Sequence, residues 1–237
     1  MLWEDDDKKK DEFQVPDNVV DLCFKINCKQ IPTMHAWELS QAMFQALPWL
    51  QQDAEVGIHQ IHGATTGNGW ERPPDGELMH LSRRAKMNLR VPKDKIEDAK
   101  SLTGQTLDIA GCSVEVGEAT VKLLSPIQTI FSRYIIVPEG VSEDDENAFV
   151  EWLVEELKQR DIAVRKMLCG IGHSITTPEA EHATRSVMIA DLDKPTSLKL
   201  QEKGVGEGRH LGCGIFLPHK GIRAVGETED KSHFTGT

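Results

Sequence analysis

The spacing of apolar residues in the first half of the chain predicts four strand segments and two helices. Strands are predicted where apolar and β-branched residues run together or alternate with polar ones, over residues 18–26, 56–64, 79–92 and 107–124, the last as a strand or a hairpin. Helices are predicted where apolar residues recur every three or four positions, over residues 35–47 and 94–104. Pro48 and Gly104 are expected to end these two helices.

The second half of the chain repeats the same order of elements. Strands are predicted over residues 130–138, 164–175, 183–192 and 213–222. The strongest helix spans residues 142–162, where Ser142 and acidic residues stand at the start and Phe149, Leu153 and Leu157 share one face. A shorter helix is predicted over residues 196–204.

The element order is therefore β-α-β-β-α-β, found twice at an offset of about 110 residues. This is the order of the split βαβ, ferredoxin-like unit. The sequence predicts an α+β fold of two tandem ferredoxin-like (βαββαβ, RRM-like) units with a glycine-rich loop near the C-terminus. We expect a disordered charged arm over residues 1–15, an N-terminal unit over 16–126, a C-terminal unit over 127–223 and a flexible tail over 224–237.

The glycine-rich loop is the segment GVGEGRHLGCGIFLPHKG, residues 204–221, between the second helix and the last strand of the second unit. It fits neither the Walker A pattern nor the dinucleotide-binding pattern. Backbone N–H groups at glycines beside basic side chains can surround an anion. The candidate anion-binding residues are Gly204, Gly206, Gly208, Arg209, His210, Gly212, Gly214 and Lys220. On the glycines alone, a flexible turn explains the pattern equally well.

The net charge of −11 argues against a nucleic-acid partner until its distribution is considered. Residues 4–12, 143–161 and 227–231 carry the whole of it, so the rest of the chain is neutral. The basic stretch SRRAKMNLR, residues 82–90, stands outside these segments. Alternation on a strand places Arg84 and Lys86 on one face, where they can contact an RNA backbone. A solvated strand face is the alternative interpretation.

Among nine histidines, His35 has the most suggestive position, because it lies in the first turn of the predicted helix over residues 35–47. The positive end of a helix lowers the pKa of a nearby imidazole and favours an anion. An ordinary residue of the first turn is the alternative. The spacing of histidines and carboxylates suggests no metal site, and no G-x-S-x-G motif is present.

Targeting signals are also missing from the sequence. It contains no run of 18 apolar residues that predicts a membrane span, and the charged N-terminus does not resemble a signal peptide. The five scattered cysteines favour reduced thiols. We therefore expect a cytoplasmic protein without a membrane partner, a metal or a cofactor.

Two stretches together resemble a known family, the CRISPR repeat-RNA (pre-crRNA) processing endoribonucleases, and look closest to a variant branch found with type I systems. The more specific is SLKLQEKGVGEGRHLGCGIFLPHKG, residues 197–221, and the other is IPTMHAWELSQAMFQALPWL, residues 31–50. The resemblance in architecture covers roughly residues 16–222.

The resemblance implies a metal-independent cut in which the 2′-hydroxyl of the RNA attacks the adjacent phosphate, leaving a 2′,3′-cyclic phosphate and a 5′-hydroxyl. By this resemblance His35 matches the catalytic histidine, and the glycines with Arg209 and Lys220 hold RNA phosphates. It further implies a repeat hairpin as substrate, a retained guide RNA (crRNA) and other subunits of a Cascade-type effector complex as partners. Many relatives place a tyrosine and a lysine near the histidine. This chain has only Tyr134, on the first strand of the second unit, and no lysine within residues 31–57. Lys29, Thr33 and Ser40 are candidate local substitutes.

Two other functions compete with an endoribonuclease. The chain can be a non-catalytic RNA-binding subunit of an effector complex, in which His35 is structural. It can also be an acidic protein-interaction module without an RNA role. Loss of cleavage but not of binding in a His35→Ala variant separates the first alternative from an enzyme. Lack of RNA binding at low salt would favour the second.

Overall fold

The computed structural model of the chain describes residues 13–63, 74 and 76–219. Most of the predicted charged arm, the predicted tail and Lys220 therefore lie outside the described residues.

The first half of the chain forms a five-stranded antiparallel sheet with two helices. Its sheet order is β3-β5-β1-β7-β6, and a separate pair of strands, β2 and β4, extends beside it. The strands are β1 Val19–Asn27, β2 Gln30–Pro32, β3 Gly57–Ile58, β4 Leu78–His80, β5 Lys86–Pro92, β6 Thr106–Ile109 and β7 Cys112–Leu123. The helices are α1 Ala36–Ala46 and α2 Ile96–Lys100, with 3₁₀ turns at Pro48–Gln52 and Lys93–Lys95.

The second half forms a four-stranded antiparallel sheet in the order β11-β8-β10-β9. Its strands are β8 Ile130–Ile136, β9 Lys166–Thr176, β10 Glu181–Ala190 and β11 Leu217–Pro218. Its helices are α3 Glu146–Gln159 and α4 Lys194–Lys203, with a 3₁₀ turn at Arg209–Leu211. In both sheets the first strand lies between the third and the last, as in a ferredoxin-like unit. The prediction of two tandem ferredoxin-like units is confirmed. The predicted domain boundary falls between β7 and β8 and stays a prediction.

Three predicted strands are shorter in the structure than in the sequence pattern. Of the predicted strand 56–64, the described residues 56–63 form a strand only at Gly57–Ile58. The segment 79–92 is divided between β4 and β5 by a turn, in which the Ala85 N–H donates to the Ser82 carbonyl oxygen at 2.9 Å. In the described part of the last predicted strand, residues 213–219, a strand forms at Leu217–Pro218, and glycines with positive φ precede it. Alternation of residue types does not reveal such turns.

Each unit has its own apolar core on one face of its sheet. In the first, Phe24 and Leu89 from the sheet pack with Leu39 and Met43 of α1. In the second, residues of α3, among them Phe149 and Leu153, pack with β10 and with Phe216. No described helix has the length and apolar content needed to cross a membrane.

Arg90 of β5 joins the two units through a fully buried side chain. Its guanidinium donates to both carboxylate oxygens of Asp21, with Nε–Oδ1 at 2.7 Å and Nη2–Oδ2 at 2.9 Å. Its Nη1 donates to the carbonyl oxygens of Gln201 at 2.7 Å and Phe216 at 2.9 Å, both in the second unit. Burial raises the pKa of Asp21, but Arg90 and His59 outweigh it and leave the pKa well below its usual range. The ion pair holds the guanidinium in place, and the hydrogen bonds from Nη1 tie β5 of the first unit to Gln201 and Phe216 of the second.

Candidate functional site

His35 is the residue immediately before α1, one position outside the helix in which it was predicted. Its side chain is buried, with the residue 2% exposed. Nδ1 lies 2.8 Å from the Pro32 carbonyl oxygen, and the Ile61 N–H donates to Nε2 at 3.0 Å. A carbonyl only accepts and an amide N–H only donates, so these partners fix the neutral tautomer with the proton on Nδ1. The nitrogen available as a proton acceptor is Nε2.

Two small cavities lie beside His35 at the junction of the two units, each of about 10 Å³. This is the volume needed for a single water molecule. Their linings combine residues of both units: Thr33, Met34, Ala36, Gln60, Ile61, His62 and Met79 from the first, and Tyr134, Ser174, Ile175 and Thr176 from the second. His35 is therefore enclosed in the conformation that the structure describes.

Tyr134 is brought to the same cavity as His35 by the packing of the two units. It is a buried residue of β8, and its ring lies edge-to-face on the ring of His173 in β9, with centroids 6.1 Å apart. Neither residue is among the predicted site residues. They stand about 100 and 140 positions from His35, so no local pattern in the sequence connects the three.

The glycine-rich loop is a closely packed segment, so the alternative of a flexible turn is wrong for its described part. Gly204, Gly206, Gly208, Gly212 and Gly214 all have positive φ. The Gly214 N–H donates to the carbonyl oxygen of Tyr134 at 2.7 Å, and Val205 donates to that of Gly214 at 3.2 Å. The amides of Gly204 and Gly212 also donate to backbone carbonyls. These N–H groups thus hold the loop itself together and place it against β8.

Substitution of Gly214 will test this packing. A Cβ at Gly214 would collide with the carbonyl oxygen of Val205, whereas at Gly206 the nearest atoms are 3.6 and 3.7 Å away. Both positions have positive φ, which costs an L-residue about 1–2 kcal/mol. We expect Gly214→Ala to lower the free energy of unfolding by clearly more than Gly206→Ala, as measured by denaturant titration. If the two variants lost the same free energy of unfolding, the close contact between Gly214 and Val205 would be contradicted.

Arg209 and His210 attach the glycine-rich loop to the first unit. Arg209 is 8% exposed and donates from Nε to the Glu55 carbonyl oxygen and from Nη2 to that of Glu202, both at 3.0 Å. Burial and the nearby Arg90 lower its pKa to about 10. A ring nitrogen of His210 lies 2.9 Å from the Asp53 carbonyl oxygen. This geometry favours a structural role for both residues over the predicted phosphate contact. Lys220 lies outside the described residues.

Arg84 and Lys86 line one large groove of about 1220 Å³ at the open end of the first sheet. The predicted shared strand face is wrong, because Arg84 lies in the turn before β5 and only Lys86 begins the strand. Both are nevertheless exposed in this groove. The cations that line it are Lys25, Lys29, Arg83, Arg84 and Lys86. We call this surface the basic groove. Among the described residues that line it, Glu115 is the one with an acidic side chain.

A second groove, of about 800 Å³, lies on the second unit and has the opposite charge. It runs beside α3 and reaches the tip of the glycine-rich loop at Gly206 and Glu207. Its acids are Glu139, Glu143, Glu156, Glu181 and Glu207. We call this surface the acidic groove. The molecule therefore offers an anionic ligand one favourable groove and one unfavourable groove.

Comparison with known proteins identifies the family. The model of the Cas6 family, described as Cas6 Crispr, matches residues 20–221. The chain belongs to the Cas6 family. The resemblance in the glycine-rich loop and around His35 is thereby confirmed at the level of the family, while the variant type I branch stays a prediction.

Relatives with known sequences and structures agree with this placement. The chain is 27% identical over 199 residues to the CRISPR-associated endonuclease Cas6 of Myxococcus xanthus strain DK1622, covering 84% of this chain and 81% of that protein. Its fold is similar to that of a Cas6-related protein of Pyrococcus furiosus (TM-score 0.55, 14% identity, 84% of this chain and 97% of that one). It is also similar to a RAMP protein described as binding different RNA substrates (TM-score 0.60, 12% identity, 84% and 98%).

The described part of this Cas6 chain contains no group of three or more His, Cys, Asp or Glu side chains arranged to hold a metal ion. All five cysteines are free, and burial raises the pKa of Cys213 to about 12.

Proposed function

We propose that this Cas6 protein is a metal-independent endoribonuclease that cuts CRISPR precursor RNA within its repeats and then holds the guide RNA. The observation that carries the proposal is the family match over residues 20–221, with His35 in a cavity lined by residues of both units. The Myxococcus relative is named an endonuclease, which supports the reaction class.

In the proposed reaction, the 2′-oxygen attacks the neighbouring phosphorus and the bond from phosphorus to the 5′-oxygen breaks. One group accepts the 2′-hydroxyl proton, and another supplies a proton to the leaving 5′-oxygen. The products are a 2′,3′-cyclic phosphate and a 5′-hydroxyl, and no cofactor takes part. His35 serves as general base or general acid, and such a positioned group contributes about 10²–10⁴-fold.

His35 can act in this reaction through Nε2. Nδ1 keeps its bond to the Pro32 carbonyl, which orients the ring and stabilises an imidazolium. Nε2 is held by the Ile61 N–H, so the substrate must replace that hydrogen bond. Tyr134, which lines the same cavity, is the candidate for the second proton-transfer group. It takes the place of the tyrosine that many relatives carry near the histidine.

We infer that the RNA lies along the basic groove and extends to His35. Lys29 in the groove precedes His35 by six residues, so the two are at most about 20 Å apart along the chain. A repeat hairpin is recognised mainly through its shape and its phosphates. Arg84 and Lys86 are assigned to those phosphates. Gly206, Gly208 and Gly212 are the half-exposed glycines of the loop. Gly206 lines the acidic groove, so Gly208 and Gly212 are the glycines that RNA can approach without meeting its carboxylates.

Replacing Arg84 and Lys86 together by alanine will test the groove. Each lost phosphate contact lowers the slope of log K against log salt by about 0.7 for single strands. We expect RNA affinity to fall roughly tenfold, with a slope lower by about 1.4. The matched control is Lys158→Ala on the acidic helix α3, which should leave both quantities unchanged. Equal slopes for the groove variant and the wild type would exclude phosphate contacts there.

The acidic groove supports a protein partner rather than RNA on the second unit, because its carboxylates repel phosphates. We propose that other subunits of a Cascade-type effector complex bind on this side while the RNA occupies the basic groove. Such an assembly would work in the cytoplasm.

A non-catalytic RNA-binding subunit is the second candidate function. It is favoured by the burial of His35, whose two nitrogens already bond to backbone groups beside cavities of about 10 Å³. In that case His35 would only stabilise the start of α1.

The two candidates are separated by incubating the purified protein with a labelled CRISPR repeat RNA in EDTA and measuring binding and cleavage together. The proposed function predicts binding and a single cut within the repeat. Tight binding without a cut would establish the second candidate, and no binding at low salt would exclude both.

A further inference from the structure

The glycine-rich loop contacts the short segment His59–Ile61, which lies beside His35. The contact is made by the buried side chain of Gln60. This residue is 9% exposed, and its Nε2 donates to the Leu211 carbonyl oxygen at 2.9 Å. A Cβ at Gly212 would lie 2.9 Å from Gln60 Cγ and 3.2 Å from Gln60 N. The loop backbone thus packs directly on Gln60, with no room for a side chain in between.

The residue after Gln60 holds the catalytic nitrogen of His35. The Ile61 N–H donates to Nε2 at 3.0 Å, and Gln60 itself lines both small cavities beside His35. On the other side, the His59 N–H donates to the Asn88 carbonyl oxygen at 3.1 Å, which ties this segment to β5. Two contacts therefore set the position of the Ile61 amide: the bond from His59 to β5, and the bond from Gln60 to Leu211 in the glycine-rich loop.

The hydrogen bond from the Ile61 N–H bears on which nitrogen of His35 carries a proton. An N–H that donates to Nε2 stabilises the neutral imidazole, because a proton on Nε2 would place two donors face to face. The imidazole can exchange a proton with RNA only when that amide moves aside or is replaced by the substrate. Small displacements of Ile61 will change how readily this happens.

We propose that Gln60 is a positioning residue for RNA cleavage, which ties the glycine-rich loop to Ile61 and so sets the N–H that holds Nε2 of His35. The proposal rests on the proposed function, in which His35 transfers protons. The glycine-rich loop would then act in the reaction in a second way, besides contacting RNA. A shift of Leu211 moves the Gln60 side chain, and with it Ile61, whose N–H bonds to His35.

Two variants test the proposal. Gln60→Ala removes the bond to Leu211, and Gln60→Met keeps the length of the side chain but removes the donor and adds no charge beside His35. The matched control is Glu55→Gln. It removes an exposed ion pair between Glu55 of the first unit and Lys203 of the second, whose charged atoms are 2.6 Å apart. All proteins are full-length.

The first measurement is NMR of protein labelled with ¹⁵N-histidine, in which a His35→Gln variant identifies the His35 signals. The wild type and the control should show the neutral ring with its proton on Nδ1. In both Gln60 variants we expect altered nitrogen shifts and a titration at higher pH, since the bond that favours the neutral form is weakened. Among the described residues, His62 and Tyr134 are the titratable groups that line the same cavity, and their titrations must be followed as well.

The second measurement is the single-turnover rate of repeat cleavage at saturating protein. We expect about a three- to tenfold fall in rate with unchanged RNA affinity, the size of effect that one lost neutral hydrogen bond produces. The limb of the pH–rate profile set by His35, the acidic limb for a general base or the basic limb for a general acid, should move to higher pH together with the NMR titration. The control should keep the wild-type rate and profile.

Identical His35 spectra in the wild type and the folded Gln60 variants would overturn the proposal, whether or not RNA is cut. A fall in rate that comes only from weaker RNA binding would also overturn it. If the wild type cuts no repeat RNA, the proposed function fails, while the NMR comparison still decides whether Gln60 positions the imidazole. If Gln60→Ala does not fold, Gln60→Met carries the test.

Discussion

Replacing His35 by alanine is expected to lower the rate of repeat-RNA cleavage by about 10²–10⁴-fold, the contribution of a positioned proton-transfer group. The loss should appear in the single-turnover rate rather than in binding, because the side chain is buried away from the basic groove. The measurement is cleavage of labelled repeat RNA at saturating protein, with affinity determined in parallel.

The matched control for this variant is His80→Ala, which removes an exposed histidine of β4 in the same unit. It should retain the wild-type rate. Thermal unfolding of both variants will show whether the His35 variant is folded, since His35 also bonds to Pro32 and Ile61. A folded His35→Ala protein that cuts at the wild-type rate would remove His35 from the mechanism.

Replacing Arg90 by alanine is expected to lower the free energy of unfolding by about 3–5 kcal/mol. The variant leaves the Asp21 carboxylate in a buried position without its cation, and it deprives the Gln201 and Phe216 carbonyls of their donor. Loss of one partner of a buried ion pair costs far more than loss of an exposed pair. Denaturant titration followed by circular dichroism measures the change.

An exposed ion pair in the same unit provides the control. Lys93 bonds to Asp17 at the surface, and Lys93→Ala should cost less than about 1 kcal/mol. Arg90→Lys keeps the charge but loses the two-pronged contact, so its stability should fall between those of the wild type and Arg90→Ala. An Arg90→Ala protein as stable as the Lys93 variant would show that the two units do not depend on this contact.

The order of strands and helices could be predicted from the sequence because each unit has one apolar face. β1 alternates buried and partly exposed residues, and α3 buries Phe149, Leu153 and Leu157 at helical spacing. Two repeats of one element order then leave few topologies open. His35 at the start of α1 could also be placed, since proline and polar residues precede an apolar periodic stretch.

The contents of the candidate site could not be predicted, since they depend on contacts between the units. Tyr134 reaches the cavity of His35 only when β8 is placed beside the first unit. Arg209 has the composition of a phosphate ligand, yet it is buried and donates to the carbonyls of Glu55 and Glu202. Its partner at Glu55 is 154 positions away along the chain. No local pattern carries that information.

The proposed RNA contacts could likewise be predicted only in part. Clustered positive charge around residues 82–90 indicated a surface for anions, and the structure places Arg84 and Lys86 in one groove. The strand alternation used to pair them fails at the turn before β5, so composition was a better guide there than periodicity.

The chemical identity of the RNA ends left by the wild-type protein in EDTA tests the central claim most directly. We predict a 2′,3′-cyclic phosphate on the upstream fragment, which phosphatase removes only after acid treatment, and a 5′-hydroxyl on the downstream fragment, which kinase labels directly. A 3′-hydroxyl paired with a 5′-phosphate, or cleavage that EDTA abolishes, would contradict attack by the 2′-hydroxyl and the role given to His35.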